Sequence, residues 1–243
     1  MVMPLGDDNL DRHSTPVVTY LLIAINAIVW FLELSGGEPF INGYSAIPFE
    51  ITHNTDLVGS QSVDVGGQSV EIQQYPGPKP IYLTLLTSMF MHASWMHILG
   101  NMLYLWIFGD NIENRIGRAK FLVFYLICGF AASAAHILFS ADSVIPGLGA
   151  SGAIAGVLGA YLILYPKNRV RVLFARQIVH MPAFIVLGMW IALQIFSQIG
   201  VSGGQSSGVA YLAHIGGFVA GVVLIFLFGG RRKPTELPPS VAR

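Results

Sequence analysis

Three short stretches of this chain carry the residue types that acyl-transfer chemistry needs. The first is Gly147–Pro166, GLGASGAIAGVLGAYLILYP, where Ser151 follows Gly149 and precedes Gly152 at the mouth of an apolar run. A serine in the first turn of a helix sits where unpaired N–H groups and the helix dipole favour negative charge. The second stretch is AHIGGFVAG, in which His214, Gly217 and Gly221 fall on one helix face. The third is HASWMHILGN, with His97 and Asn101 four residues apart and therefore also on one face. Serine attack on a peptide creates an oxyanion, and each preorganised donor stabilises it by about 2.7–4 kcal/mol. Each stretch alone has a plainer reading. A serine among small residues packs helices, and a lone membrane histidine bonds a backbone carbonyl. His92, five residues before His97, either lines a wet wall or anchors its loop.

The elements that must position these groups are apolar. Of the 243 residues, 53% are hydrophobic and only 11% charged, against roughly 25% charged in a soluble domain. Mean hydropathy is +0.62, so the composition is that of a membrane protein. Net charge is zero, and no nucleic-acid partner is implied. The single cysteine, Cys128, excludes an intramolecular disulfide. No metal or other cofactor is expected. The polar, acidic start MVMPLGDDNLDRHSTP argues against a cleaved signal peptide.

Six apolar runs approach the ~20 residues that span a bilayer. They are Pro16–Leu34, Ser94–Phe108, Phe121–Phe139, Ser151–Tyr165, Ile178–Ile199 and Val209–Gly229. The second and fourth are short, a mark of sites at membrane depth. Six spans put Arg12, Arg115, Arg118, Lys120, Lys167, Arg169, Arg171, Arg176, Arg231, Arg232, Lys233 and Arg243 on one side, leaving Lys79 alone on the other. The positive-inside rule then makes both termini cytoplasmic. The expected organisation is a cytoplasmic N-terminal tail (1–15), a six-span domain (16–229) and a cytoplasmic C-terminal tail (230–243). Within the domain, the long outer loop 35–80 holds SVDVGGQSVEI, readable as a hairpin or as a disordered loop. The Ser202–Gly208 segment reads equally as a lid or a linker.

Small residues at Gly152, Gly156, Gly217 and Gly221 would let two helices approach and bring Ser151 to His214. No acid lies in mid-span to orient the histidine, since Glu33 and Glu113 stand at span ends. A dyad is therefore expected. An H-E-x-x-H metal motif is absent, and Asp110 has no partner aspartate in another span, which removes the other protease chemistries. A non-catalytic client-binding membrane protein and a small transporter are the rival classes. The first would need neither Ser151 nor His214; the second calls for charged pairs at mid-depth, which are missing.

Taken together, these residues resemble the rhomboid family of intramembrane serine proteases from about Pro16 to Gly229. Gly149-Ala150-Ser151-Gly152 is similar to the family's GxSG motif, which implies Ser151 as nucleophile. Ala213-His214 with Gly217 and Gly221 is similar to AHxxGxxxG, which implies His214 as general base and later acid. His97 and Asn101 fall on HxxxN, and by resemblance complete an oxyanion hole with the Ser151 N–H. Gly109, Glu113 and Gly117 match GxxxExxxG, with Glu113 a structural residue bonded to nearby backbone or Arg115. The resemblance implies an all-α, six-helix bundle with a long first extracytoplasmic loop. Its expected partners are the lipid bilayer and single-pass transmembrane protein substrates, cut beside a small residue; a bacterial-type inner membrane suits it. Two departures stand out. Residues 35–80 contain neither Trp nor Arg, and Ala155 occupies the position where some relatives stack a tyrosine on the histidine.

Overall fold

The computed structural model describes residues 3–8, 14–65, 68–175, 177–202 and 210–229. It is mostly helical. Helix α1 (Val17–Tyr44) is broken at Gly37 and leads to the short α2 (Pro48–His53). A hairpin of β2 (Gly59–Val65) and β3 (Gln68–Gln74) follows, then a run of short turns around α3 (Thr84–Thr87). The main bundle is α4 (Trp95–Ile116), α5 (Arg118–Phe139), α6 (Ser151–Leu164), α7 (Ala183–Ser202) and α8 (Tyr211–Leu227), together with α1. Three segments, Val17–Tyr44, Arg118–Phe139 and Ala183–Gly200, are long and apolar enough to cross a membrane.

Helix α6 is the centre of the bundle. Every residue from Gly152 to Tyr161 is buried, as expected of a helix that is apolar all round. At 14 residues it rises only about 21 Å. A three-stranded antiparallel sheet, β1 (Met3–Asp7), β4 (Arg169–Phe174) and β5 (Gln177–Pro182), in the order β1-β4-β5, packs against α4 and α7 and is bonded to α6 at Tyr161. Val170 and Val172 of β4 are fully buried while Arg169 and Arg171 face out, the alternation of a half-buried strand.

That sheet changes two boundaries expected from hydropathy. The run beginning at Ile178 is strand up to Pro182, paired residue by residue with β4, and the helix starts only at Ala183. Residues 3–7 are a paired strand rather than a bare tail. The second apolar run also continues past Phe108 to Ile116 although it turns polar. Its buried Glu113 is satisfied from α1, accepting the N–H groups of Val18 (3.0 Å) and Thr19 (2.7 Å) and the Thr19 hydroxyl (2.8 Å). Helix α1 has no side-chain cap of its own, so this carboxylate takes up its orphan N-terminal donors and favours its dipole. Gly109 lets α1 close in, since a Cβ there would stand 3.3 Å from Thr19. Gly117, at φ +88°, is the single-residue link from α4 to α5. The Ser202–Gly208 segment beyond Ser202 and the C-terminal tail lie outside the described residues.

Asp7 pins β1 to the bundle through Tyr161, whose hydroxyl donates to it, and through Asn111 Nδ2 at 3.0 Å. Burial outweighs these bonds and raises its carboxyl from 3.8 to about 6. A carboxyl raised in the docked state favours docking while protonated, so docking weakens as pH rises from about 4 through about 6. Amide exchange of residues 3–7 is therefore expected to be slower at pH 5 than at pH 7.5 after correction for intrinsic rates. Asp7→Asn should flatten the difference; an unchanged slope in that variant would assign it to another group.

Candidate active site

The loop before α6 places Ser151. Gly149 has φ +134°, a conformation strained for any side chain, and its N–H donates to the Ser88 carbonyl at 2.8 Å. A Cβ on Gly149 would stand 2.9 Å from His97 Cε1, 3.0 Å from His97 Nε2 and 3.4 Å from Ser151 Oγ. The bare glycine thus leaves the gap on which the serine and His97 converge. Ser151 opens α6, which has no side-chain cap, so first-turn N–H groups lack intrahelical partners there.

Helix α4 brings the polar wall. Ser94 caps it by accepting the His97 N–H at 3.2 Å. The Ala93 N–H donates to His97 Nδ1 at 3.4 Å, which puts the imidazole proton on Nε2, the atom turned toward Gly149. One turn on, Asn101 is buried and its Nδ2 has no hydrogen-bond partner among the described residues. His92 is fully buried behind them, its ring edge-on to His97 with centroids 5.1 Å apart. Its backbone N–H donates to both oxygens of buried Glu33, at 2.9 and 3.1 Å, tying the loop to α1.

Helix α8 brings His214 across a seam of glycines. A Cβ on Gly217 would lie 2.0 Å from the Gly152 carbonyl oxygen, and one on Gly221 1.9 Å from that of Gly156. On the other side of α6, Gly152 and Gly156 press against Ala132 and Cys128 of α5, each at 2.5 Å from such a Cβ. With backbones this close, Ser151 Oγ lies 2.7 Å from His214 Nε2. The two residues, 63 apart in sequence, form a hydrogen-bonded pair able to activate a hydroxyl.

Two further residues touch the histidine, and sequence reasoning missed both. Gln194 Oε1 is 2.7 Å from His214 Nδ1. Trp190, one turn earlier on α7, lies over the imidazole with ring centroids 5.8 Å apart and planes at 36°. Ala155 itself is fully buried in the bundle, so the aromatic neighbour of the histidine comes from α7 instead of α6. The signal was an uncharged glutamine inside an apolar run, a residue passed over in a search for ionisable groups.

Beside Ser151 is a cavity of about 60 Å³, bounded by Ser88, Met89, Gly129, His136, Gly149 and Ser151 among others. That is room for a few waters or a small side chain.

A sequence model of the Rhomboid domain matches residues 80–231, a segment holding Ser151, His214, His97, Asn101, Trp190 and Gln194. The rhomboid protease GluP of Bacillus subtilis (strain 168) is 30% identical over 211 residues, covering 86% of this chain and 34% of that protein. RHOMBOID-like protein 1 of Arabidopsis thaliana is 32% identical over 144 residues, 59% of this chain and 34% of that one. The human presenilin-associated rhomboid-like protein, mitochondrial, is 29% identical over 149 residues, 57% of this chain and 39% of its own. The chain thus spans roughly a third of the length of these relatives. A multi-pass integral membrane protein with this helical core and this domain match from α3 onward belongs to the rhomboid family.

Proposed function

We propose that the chain is an intramembrane serine endopeptidase that cuts single-span membrane proteins within or next to their transmembrane segment. The observation that carries this reading is the 2.7 Å contact between Ser151 Oγ and His214 Nε2 inside an apolar bundle. His214 takes the hydroxyl proton as Ser151 attacks the peptide carbonyl carbon. The tetrahedral oxyanion is held by the Ser151 N–H, by His97 through Nε2–H, and by Asn101, whose buried Nδ2 has no partner among the described residues. Collapse breaks the C–N bond, and His214 returns the proton to the leaving amine. Water then attacks the ester under the same base, releasing the acid and restoring Ser151. The small cavity beside Ser151 fits a small side chain before the cut.

In this reading α1, α4, α5, α6, α7 and α8 are six spans of a domain covering 16–229. The tails 1–15 and 230–243 and the β1-β4-β5 sheet are cytoplasmic, the serine faces the outer leaflet, and the setting is a bacterial-type inner membrane. The concentration of Lys and Arg at the sheet end supports that orientation.

The test is labelling of the purified protein with a fluorophosphonate. Labelling that is lost in Ser151→Ala and in His214→Ala supports an activated serine; labelling that persists without Ser151 refutes the mechanism. Asn101→Ala is expected to lower kcat by roughly 10²–10³-fold, the cost of one oxyanion donor, while KM for a reporter substrate stays close to wild type. A change confined to KM would remove Asn101 from the oxyanion site.

A further inference from the structure

We infer that Gln194 is a positioning residue that sets the tautomer of His214, so that the site is a relay of three side chains from α6, α8 and α7. This rests on the protease reading above. Both ring nitrogens of His214 are engaged: Nε2 faces Ser151 Oγ at 2.7 Å and Nδ1 faces Gln194 Oε1 at 2.7 Å. An amide oxygen only accepts, so the imidazole donates its single proton from Nδ1 and keeps the Nε2 lone pair for the serine. Without that acceptor the neutral ring is free to carry its proton on Nε2. There it confronts the hydroxyl as a donor and takes no proton from it.

Gln194 does by hydrogen bonding what a carboxylate does in the familiar triad, but without a charge. A neutral partner suits a half-buried site in a membrane bundle, where an ionised acid is costly. Trp190 lies one turn away on the same face of α7 and closes over the ring. Ring orientation and tautomer are therefore both imposed from α7, a helix that carries neither the nucleophile nor the base. The ring has no other hydrogen-bond partner among the described residues, and the remaining titratable group near it is His97.

The test is the rate of fluorophosphonate labelling of Ser151 against pH, for wild type, Gln194→Met and Gln194→Glu in the full chain. Methionine keeps the shape and removes the acceptor. Its labelling should fall on the order of 10²-fold, less than the roughly 10⁴-fold of a mis-set carboxylate partner, and its acid limb should move to lower pH. Glutamate restores the acceptor and adds a charge that favours the imidazolium. It should recover labelling above the methionine variant and move the acid limb to higher pH. Displacement of the limb in opposite directions is a result that loosened packing alone does not produce. A wild-type limb and rate in Gln194→Met, or an unmoved limb in Gln194→Glu, overturns the inference while leaving the serine reading intact. Should Gln194→Met fail to fold, the limb of Gln194→Glu decides. Absence of Ser151-dependent labelling in folded wild type overturns both together.

Discussion

Ser151→Ala is expected to reduce cleavage of a single-span reporter in proteoliposomes by roughly 10⁴–10⁶-fold, and His214→Ala by a similar factor. The reason is geometric. Among the described residues the only hydroxyl bonded to the imidazole is Ser151 Oγ, and the ring nitrogen it meets is Nε2, Nδ1 being taken by Gln194. Removing the base leaves an unactivated hydroxyl, and removing the hydroxyl leaves a base with nothing to deprotonate but water. If the two groups act in one step, as proposed, the double variant should be no slower than either single one. Folding should survive. Ser151→Ala loses one hydrogen bond and His214→Ala two, each worth about 0.5–1.5 kcal/mol net, so the thermal midpoint in detergent should change little in the first and fall modestly in the second. If the two losses multiplied instead, Ser151 and His214 would be serving separate steps, and the dyad would be the wrong description.

How much of this was legible in the sequence follows from what each residue depends on. Ser151, His214, His97 and Asn101 stood out because polar groups in apolar runs are few and their helical spacing is local information. The hairpin flanking Gly66-Gly67 was one of two readings, and β2 and β3 pair from Gly59–Gln74 to Val65–Gln68. The partners of those groups were harder. Glu113 is satisfied by α1, 94 and 95 residues away, and Gln194 matters only because α7 packs beside α8. Neither pairing has a local signature, although a glutamine inside an apolar run marks Gln194 itself. The start of α7 was misjudged because Ile178–Met181 is apolar enough for a helix, yet it pairs with the Arg-Val alternation of β4. A tertiary partner decided that stretch, as it did residues 3–7, whose seat depends on Tyr161 and Asn111.

The glycine seam yields the second large effect. At Gly221 a Cβ would meet the Gly156 carbonyl oxygen at 1.9 Å and the Gly156 Cα at 2.6 Å, far inside the ~3.5–4.0 Å of ordinary carbon contact. The obstacle is backbone of a buried helix, so no side-chain rotation relieves it. Gly221→Ala must therefore push α8 away from α6 by about 1 Å or more, and Gly221→Val further. Misplacement of reacting groups by about 1 Å can cost 10²-fold in rate, and overpacking typically costs about 1–3 kcal/mol. Gly221→Ala is expected to fold with a lowered thermal midpoint and to cleave about 10²-fold more slowly, whereas Gly221→Val should yield little folded protein. Gly188 on α7 supplies the control, since a Cβ there has nothing within 4 Å, and Gly188→Ala should leave midpoint and rate near wild type. Gly221 lies two turns from His214 and touches neither the serine nor its base. A rate loss there without unfolding would mean that helix separation, more than the identity of the two reacting side chains, sets how well the hydroxyl is aimed at the imidazole. Full activity in a folded Gly221→Ala protein would mean instead that α8 can shift on α6 while Gln194 and Trp190 hold the ring in place from the other side.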